Sequence, residues 1–224
     1  EGVGSVATYP FGRGGFEVSK LEEATAKRYL PAAELSKLKS ATANNPQCEY
    51  ARKLFLFSYY CYGISFIDMA MLTAAHIKQM EDGDYIVYKR QKIKRQKGVK
   101  PISIKITPAI RQLIESLQAA SPTVDDFLLP VVTRSGYTGE RLYMHIRTRY
   151  SKYQKYLRLL AEELGIDFHL TSYVSRHTAA LTLQRKHNPR EGNSPQTGHA
   201  DLETTNVYLD SFDNGVINEA AKVL

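Results

Sequence analysis

The stretch HIKQMEDGDYIVYKRQK, residues 76–92, interrupts an otherwise helical pattern and decides the fold class. Asp82-Gly83 in its middle is a strong signal for a two-residue hairpin turn. In the segment after the turn, alternate residues fall on opposite faces of a strand. The pattern therefore predicts strands over 76–81 and 84–92, and a third strand over 99–107.

Helical spacing of apolar residues surrounds this predicted sheet on both sides. Upstream, Ser65-Phe66-Ile67-Asp68 reads as a capping box, in which a hydroxyl and a carboxylate three residues later satisfy the first amides of a helix. We predict helices that begin at Pro31, at Pro46 (ending by Gly63) and at Phe66, then at Pro108, over roughly 144–164, and from Thr171 to about 186. The fold class is then mostly α with a small three-stranded antiparallel sheet (α+β).

Composition limits the functional classes. The chain has 224 residues, of which 43% are hydrophobic and 24% charged, as in an ordinary globular protein. It contains neither the run of about 18 apolar residues that a membrane span needs nor a secretory signal. Two cysteines, Cys48 and Cys61, are better explained as reduced thiols than as a disulfide framework.

The charge balance and one loop suggest a polyanionic partner. The formal net charge is +7. This excess of positive charge indicates that the protein binds nucleic acid or, alternatively, only keeps it soluble. Residues 92–98, between the second and third predicted strands, read KIKRQKG and are rich in basic side chains. We predict that these residues and the preceding arginine bind DNA, through Arg90, Lys94, Arg95 and Lys97.

The last third of the chain carries the residues best suited to chemistry. Arg176-His177 lies on the last predicted helix, Gly198-His199 follows, and Tyr208 comes nine residues after His199 within TTNVYL. A phenoxide can form a phosphodiester, a guanidinium can clamp two phosphate oxygens, and a lysine such as Lys92 can protonate a leaving sugar oxygen. This set suits phosphoryl transfer without a metal.

The pattern YVSRH at 173–177, with Gly198-His199, Thr204-Thr205 and Tyr208, resembles that of the tyrosine recombinases, the phage and transposon integrases. Residues 208–214 look like the branch found in bacterial conjugative transposons, and so do residues 55–60 and Gly63 with Phe66, Asp68, Met69 and Ala70. The resemblance covers roughly residues 26–224. It implies a mostly helical catalytic domain on one side of duplex DNA and cleavage through a 3′-phosphotyrosine, with no metal and no other cofactor.

The resemblance also implies a role for each matched residue and a set of partners. Tyr208 would be the nucleophile, Arg176 and His199 would hold the phosphate, and Lys92, with Lys94 as a substitute, would protonate the 5′ leaving oxygen. The partners would be double-stranded DNA, other copies of the chain in a tetrameric synapse, and accessory DNA-bending or directionality proteins. The protein would integrate or excise a mobile element in the bacterial cytoplasm, at the nucleoid.

Two positions depart from the family pattern. Tyr173 stands where the family usually has histidine, and could belong either to the site or to the core. Tyr62 stands where we expect the first catalytic arginine, and a phenol offers one neutral donor instead of a charged fork. Arg52 lies too far upstream to replace it, whereas Arg90 and Arg95 lie closer. The alternative function is therefore a DNA-binding relative with lost or strongly weakened strand transfer.

The domain organisation follows from the same resemblance. Residues 1–29 are predicted to be an extended lead-in from an N-terminal core-binding domain, and residues 30–224 to be the catalytic domain. An apolar stripe along 216–224 predicts a short tail helix that docks on another protomer or in its own groove, because so short a helix is not stable alone.

Overall fold

The computed structural model describes residues 29–94 and 96–187, with side chains described as far as residue 183. Predictions for other parts of the chain lie outside these residues. They concern the lead-in before residue 29, Arg95, His199, Tyr208 and the tail helix.

Six helices surround one small sheet within the described residues, as the sequence pattern predicts. The sheet is antiparallel, in the order β1-β2-β3, which confirms the fold class. The elements in chain order are α1 Ala32–Ser40, α2 Pro46–Tyr60, α3 Phe66–Ala70, a 3₁₀ turn Ala74–His76, β1 Ile77–Met80, β2 Gly83–Tyr88, β3 Ile102–Lys105, α4 Pro108–Ala120, α5 Gly139–Glu163 and α6 Ser172–His187.

Helix α2 lies at the centre of the core and packs against α4, α5 and α6. Its aromatic sequence explains this position, because Phe55, Phe57 and Tyr59 are almost completely buried. A helix that is apolar on several faces has to be enclosed by other elements. Helix α6, which carries Arg176, therefore lies directly against α2.

Caps set most helix boundaries where the sequence places them. The Asn45 side chain accepts a hydrogen bond from the Gln47 amide, and that of Thr107 accepts one from the Ile110 amide, each just before a proline at the first turn. Helix α5 begins at Gly139, earlier than predicted, because Leu142 already packs against the core.

The strands are shorter than predicted, and the difference matters for Lys92. Strand β2 ends at Tyr88 instead of continuing to residue 92. The Gln91 amide, which a longer strand would use for pairing, donates instead to the Asp68 carboxylate at 2.7 Å. Lys92 therefore lies in a turn of the β2–β3 loop and not at the end of a strand.

The chain enters the domain beside α6. The backbone amide of Leu30 donates a buried hydrogen bond of 2.9 Å to the Thr178 hydroxyl. Leu30 itself is buried in the core. None of the helices in the described part of the chain combines the length and the apolar character that a membrane span requires.

Candidate active site

Helix α6 carries Arg176, and polar contacts within the core fix this helix on α2. The Ser58 hydroxyl on α2 and the Ser175 hydroxyl on α6 lie 2.9 Å apart, and both side chains are buried. Ser58 also donates to the Ile64 carbonyl at 2.9 Å. Ser58 of α2 thus joins α6, the helix that carries Arg176, to residues 61–65, which form the turn between α2 and α3 (the α2–α3 turn).

Gly63 brings this α2–α3 turn into direct contact with Arg176. A Cβ atom at Gly63 would lie only 2.6–2.7 Å from the Cα, Cβ and Cγ atoms of Arg176. Its φ of +77° also belongs to the region that glycine adopts most easily. The Arg176 Nη1 group donates to the Gly63 carbonyl at 3.3 Å. The position that the sequence assigns to the first arginine therefore directly precedes a residue that touches Arg176.

Tyr62 occupies that position as a buried aromatic. Its side chain packs into the core, and the residue is only 9% exposed. Its φ of 54° places it in the left-handed region as well. Burial, followed by the influence of Cys61 and Tyr85, raises the pKa of the Tyr62 phenol. The group stays neutral and brings no charge to Arg176.

Asp68 connects the α2–α3 turn to the loop that carries Lys92. One of its carboxylate oxygens accepts from the Ser65 hydroxyl at 2.6 Å, and the other accepts from the Gln91 amide at 2.7 Å. The residue is only 4% exposed. The predicted capping box is thus half formed: the Asp68 amide donates to the Ser65 hydroxyl, while the carboxylate binds Gln91 instead of the Ser65 amide.

Gln91 lies between Arg90, predicted to bind DNA, and Lys92, predicted to be the proton donor. The Lys92 side chain is exposed, and Lys94 donates from Nζ to the Gln91 side-chain oxygen at 2.6 Å. Lys97 is exposed in the same loop. The loop therefore presents ammonium groups to solvent while Asp68 holds its backbone at one point.

Arg90 and Arg176 both influence the pKa of the hydroxyl of Tyr88, the last residue of β2. Burial is the largest cause that raises the pKa of its hydroxyl, and Asp68 and Cys61 add to the effect. Arg176 and Arg90 both act in the opposite direction, to lower it. The two arginines therefore contribute positive potential at one buried hydroxyl beside the α2–α3 turn.

Two further predictions concern Tyr173 and Arg52. Tyr173 is 62% exposed, so its alternative role in the core is wrong; its ring lies 5.8 Å from that of His177, centroid to centroid. Arg52 donates to both carboxylate oxygens of Glu49, each at 2.7 Å, and to the Leu38 carbonyl at 2.9 Å. These contacts hold it in place near α1, and its exclusion as a substitute arginine is confirmed.

Helix α5 has a basic surface that was not predicted from the sequence, where only the apolar stripe of this helix was recognised. Its outer side carries the exposed basic residues Arg141, Arg147, Lys155 and Arg158. None of them forms an ion pair with a carboxylate of the described residues. The pKa of His145 on this helix is lowered by burial first and then by Arg149, Arg134 and Lys152. The signal was available in the sequence, because basic residues recur opposite the apolar positions.

Within residues 29–94 and 96–187 the structure groups no three potential metal ligands. Both cysteines are buried free thiols, and burial raises the pKa of Cys61. Of the predicted catalytic residues, the structure describes Tyr62, Lys92, Tyr173 and Arg176.

Comparisons with known proteins agree with this architecture. Residues 28–214 match the phage integrase family, while no curated protein sequence matches the chain. A structure of the XerH site-specific recombinase bound to its difH substrate, a pre-cleavage complex, is similar with a TM-score of 0.50 and 18% identity over 88% of this chain. The crystal structure of the XerA recombinase gives a TM-score of 0.49, also with 18% identity over 88% of this chain. The chain covers 54% and 65% of those two solved chains, respectively.

Proposed function

Since the chain belongs to the phage integrase family, we propose that it is the catalytic domain of a tyrosine-type site-specific recombinase. It cuts and rejoins double-stranded DNA through a 3′-phosphotyrosine. The observation that carries this proposal is a set of contacts made by the α2–α3 turn and by α3: Gly63 of the turn touches Arg176, and Asp68 of α3 binds the Gln91 amide beside Lys92. The proposed phosphate clamp and the proposed proton donor are thereby connected to neighbouring parts of the chain.

The proposed reaction exchanges one phosphoester bond for another. The Tyr208 oxygen attacks the scissile phosphorus and gives its proton to water, the bond from phosphorus to O5′ breaks, and Lys92 gives a proton to the departing O5′. The phosphate then joins Tyr208 to the 3′ end of the DNA. Attack by a 5′ hydroxyl reverses these steps and reseals a strand, and Lys92 recovers its proton. Arg176 and His199 stabilise the negative oxygens of the transition state.

The arrangement of charges supports DNA as the substrate. Lys92, Lys94 and Lys97 are exposed in the β2–β3 loop, and the outer side of α5 adds a second basic surface. Phosphate contacts from such surfaces supply most sequence-independent affinity. Arg90, whose charge acts on the same hydroxyl as that of Arg176, is our candidate for the charge that Tyr62 does not provide.

A second candidate function rests on Tyr62. Because this phenol is buried and neutral, a chain in which Arg90 does not reach the phosphate would bind DNA but transfer strands poorly. Loss of one such donor typically costs about 10²–10³ in rate. Cleavage measurements separate the two candidates, because both predict DNA binding.

The finer parts of the proposal follow the family resemblance. We assign the chain to integration or excision of a mobile element, in the branch found in conjugative transposons. It would act with an N-terminal core-binding domain and as an oligomer on DNA, assisted by DNA-bending or directionality proteins. The motif residues 55–60 and 63–70 support the branch, and the apolar stripe of 216–224 supports the contact between protomers.

The decisive experiment is covalent capture of DNA. The chain is incubated with nicked duplexes from a random-sequence library, the protein is denatured, and DNA that stays attached is sequenced. We expect an adduct that mass spectrometry maps to Tyr208 and that Tyr208→Phe abolishes, since this change removes one oxygen and leaves the ring. An adduct that persists in Tyr208→Phe, or that maps to Tyr173 or Tyr62, would show that the nucleophile is another residue.

A further inference from the structure

We propose that Ser58 is a positioning residue for strand transfer: its hydroxyl sets the register of α6 against α2, and so the place of Arg176 at the phosphate. This inference rests on the proposed function and deepens it. Ser58 touches neither DNA nor the reacting atoms in this role, and it acts only through Arg176.

Ser58 makes three polar contacts that converge on Arg176. Its backbone carbonyl accepts from the Gly63 amide at 2.7 Å, and its hydroxyl lies 2.9 Å from the Ile64 carbonyl and 2.9 Å from the Ser175 hydroxyl. Gly63 and Arg176 are also joined directly, because Nη1 of the arginine donates to the Gly63 carbonyl at 3.3 Å. Ser58 therefore binds Gly63 itself and the residues next to both partners of this contact.

Burial strengthens the contact between the two hydroxyls. Ser58 is only 2% exposed, and Ser175 is completely buried. Ser175 also lies 2.8 Å from the Ser172 carbonyl, so two hydroxyl protons serve a chain of three contacts from Ile64 to Ser172. Hydrogen bonds in a low-dielectric interior are stronger than in water. Removal of the Ser58 oxygen would break this chain in its middle and separate α6 from the α2–α3 turn at this point.

The other contacts between α2 and α6 fix the register of α6 less directly. Val174 and Leu183 of α6 are buried in the core, but apolar burial is non-directional, so it resists separation of the helices better than a shift along them. A second polar contact, from the Tyr59 hydroxyl to the Thr182 hydroxyl, is longer at 3.4 Å and lies six residues beyond Arg176. The serine pair, one residue before Arg176, therefore determines the position of the guanidinium most directly.

A small error in this position is enough to slow the reaction. A displacement of about 1 Å in a catalytic arrangement can cost about 10²-fold in rate. Arg176 stays present and charged in Ser58→Ala, and affinity for DNA is the sum of many phosphate contacts. The signature expected of Ser58→Ala is therefore a loss of cleavage rate with little change in DNA affinity.

The test uses a duplex recovered by covalent capture, made with its natural scissile phosphate or with a methyl group in place of one non-bridging oxygen there. The methylphosphonate carries no negative charge, so a defect in the placement of a guanidinium should largely disappear on this substrate. Single-turnover cleavage of the phosphate and of each methylphosphonate stereoisomer is measured, together with DNA affinity, for the unmodified chain, Ser58→Ala, Ser175→Ala and Arg176→Ala.

Tyr59→Phe is the matched control. It also removes one hydroxyl oxygen from α2, and it breaks the contact with Thr182 on the same helix α6. Both Ser58→Ala and Tyr59→Phe should lower the midpoint of thermal unfolding, because each leaves a buried hydrogen bond unmade. Stability alone therefore does not separate them, whereas cleavage does.

We expect Ser58→Ala and Ser175→Ala to cleave the phosphate substrate about 10²-fold more slowly, and the methylphosphonate within about threefold of the unmodified chain. Arg176→Ala should show the same preference with a larger loss on the phosphate, about 10³–10⁵. Tyr59→Phe should change neither rate.

An equal loss on both substrates in Ser58→Ala, or in Ser175→Ala if the first variant does not fold, overturns the positioning role and leaves the proposed function standing. Unchanged cleavage of the phosphate by Ser58→Ala overturns it as well, and so does an equal loss in Tyr59→Phe. If Arg176→Ala loses the same rate on both substrates, Arg176 is not a charged clamp and the inference fails with it. Failure of the unmodified chain to form an adduct with any duplex overturns both proposals.

Discussion

Arg176 and Lys92 belong to the same candidate site, yet the fold holds them in different ways. Arg176 lies on a helix whose backbone contacts the α2–α3 turn at Gly63, supported by the buried serine pair Ser58 and Ser175. Lys92 lies in an exposed loop, and the residue before it, Gln91, donates a hydrogen bond to the buried Asp68 carboxylate. Arg176 is thus held by close packing, whereas the backbone beside Lys92 is held by a polar contact.

This difference matches what each residue has to do in the proposed reaction. A guanidinium that clamps phosphate keeps its charge throughout and gains from a rigid position, because preorganised charges need no rearrangement during the reaction. A proton donor has to approach one oxygen at one step, and a loop allows this adjustment. Changes around Arg176 should therefore affect folding and chemistry together, whereas changes around Lys92 should affect chemistry alone.

The largest effect should come from Gly63→Ala. The new Cβ would overlap Arg176, so we expect the loss of a phosphate-facing arginine, about 10³–10⁵ in cleavage rate. The free energy of unfolding should fall by about 2–5 kcal/mol, from the left-handed backbone and the overlap together. Chemical denaturation and single-turnover cleavage measure the two effects.

Gly136→Ala is the matched control for this prediction. Gly136 has a similar φ of +73°, but a Cβ there would meet no atom within 4 Å. It should lose only about 1–2 kcal/mol, the cost of the left-handed backbone, and keep its cleavage rate. Equal behaviour of the two variants would mean that the contact with Arg176 is unimportant.

A smaller effect is expected for Arg90→Ala, which tests whether the loop side of the site also supplies a phosphate clamp. We expect single-turnover cleavage to fall by about 10²–10³ with little change in DNA affinity, because the charge that Arg90 meets grows mainly in the transition state. Arg111→Ala, which removes an arginine paired with Asp84 on the sheet, should leave cleavage unchanged. A full rate in Arg90→Ala would refute the assignment.

The smallest expected effect is a shift in the pKa of His145, which lies on α5 beside the basic surface. Burial and three cationic neighbours lower its pKa in the folded protein. Its contribution to stability is therefore present above the unfolded pKa of about 6.5 and is lost as the pH falls below that value. DNA phosphates bound at this surface would offset the cations and raise the pKa.

An NMR titration of the His145 ring with and without duplex DNA measures this shift. Arg149→Gln, which deletes one of the cationic neighbours, should raise the pKa in the absence of DNA and fixes the direction of the effect. A pKa that does not move when DNA is added would show that this side of α5 does not face the duplex.

Much of the fold could be predicted from local signals. Prolines and caps at Asn45, Ser65 and Thr107 set helix starts within a residue or two, and Asp82-Gly83 marks the hairpin turn. The end of β2 could not be predicted, because a carboxylate more than twenty residues upstream takes the amide of Gln91. Local propensity contains no information about such a distant partner.

Within the described residues, the elements that carry Arg176 and Lys92 could be predicted from the sequence, but the contacts between them could not. The motif around Arg176 identifies the helix, and the basic run after β2 identifies the loop. Neither indicates that Asp68 joins them, because a carboxylate three residues after a serine is equally explained as a capping box. The packing of Tyr62 and the exposure of Tyr173 likewise depend on neighbours that tertiary structure alone brings together.

The hydrogen bond between Leu30 and Thr178 gives the domain a mechanical property. It attaches the chain's entry point to α6 two residues beyond Arg176, so a force applied through the preceding segment loads this helix directly. A pull on Leu30 therefore acts on α6 as well as on α1, which follows it in the chain.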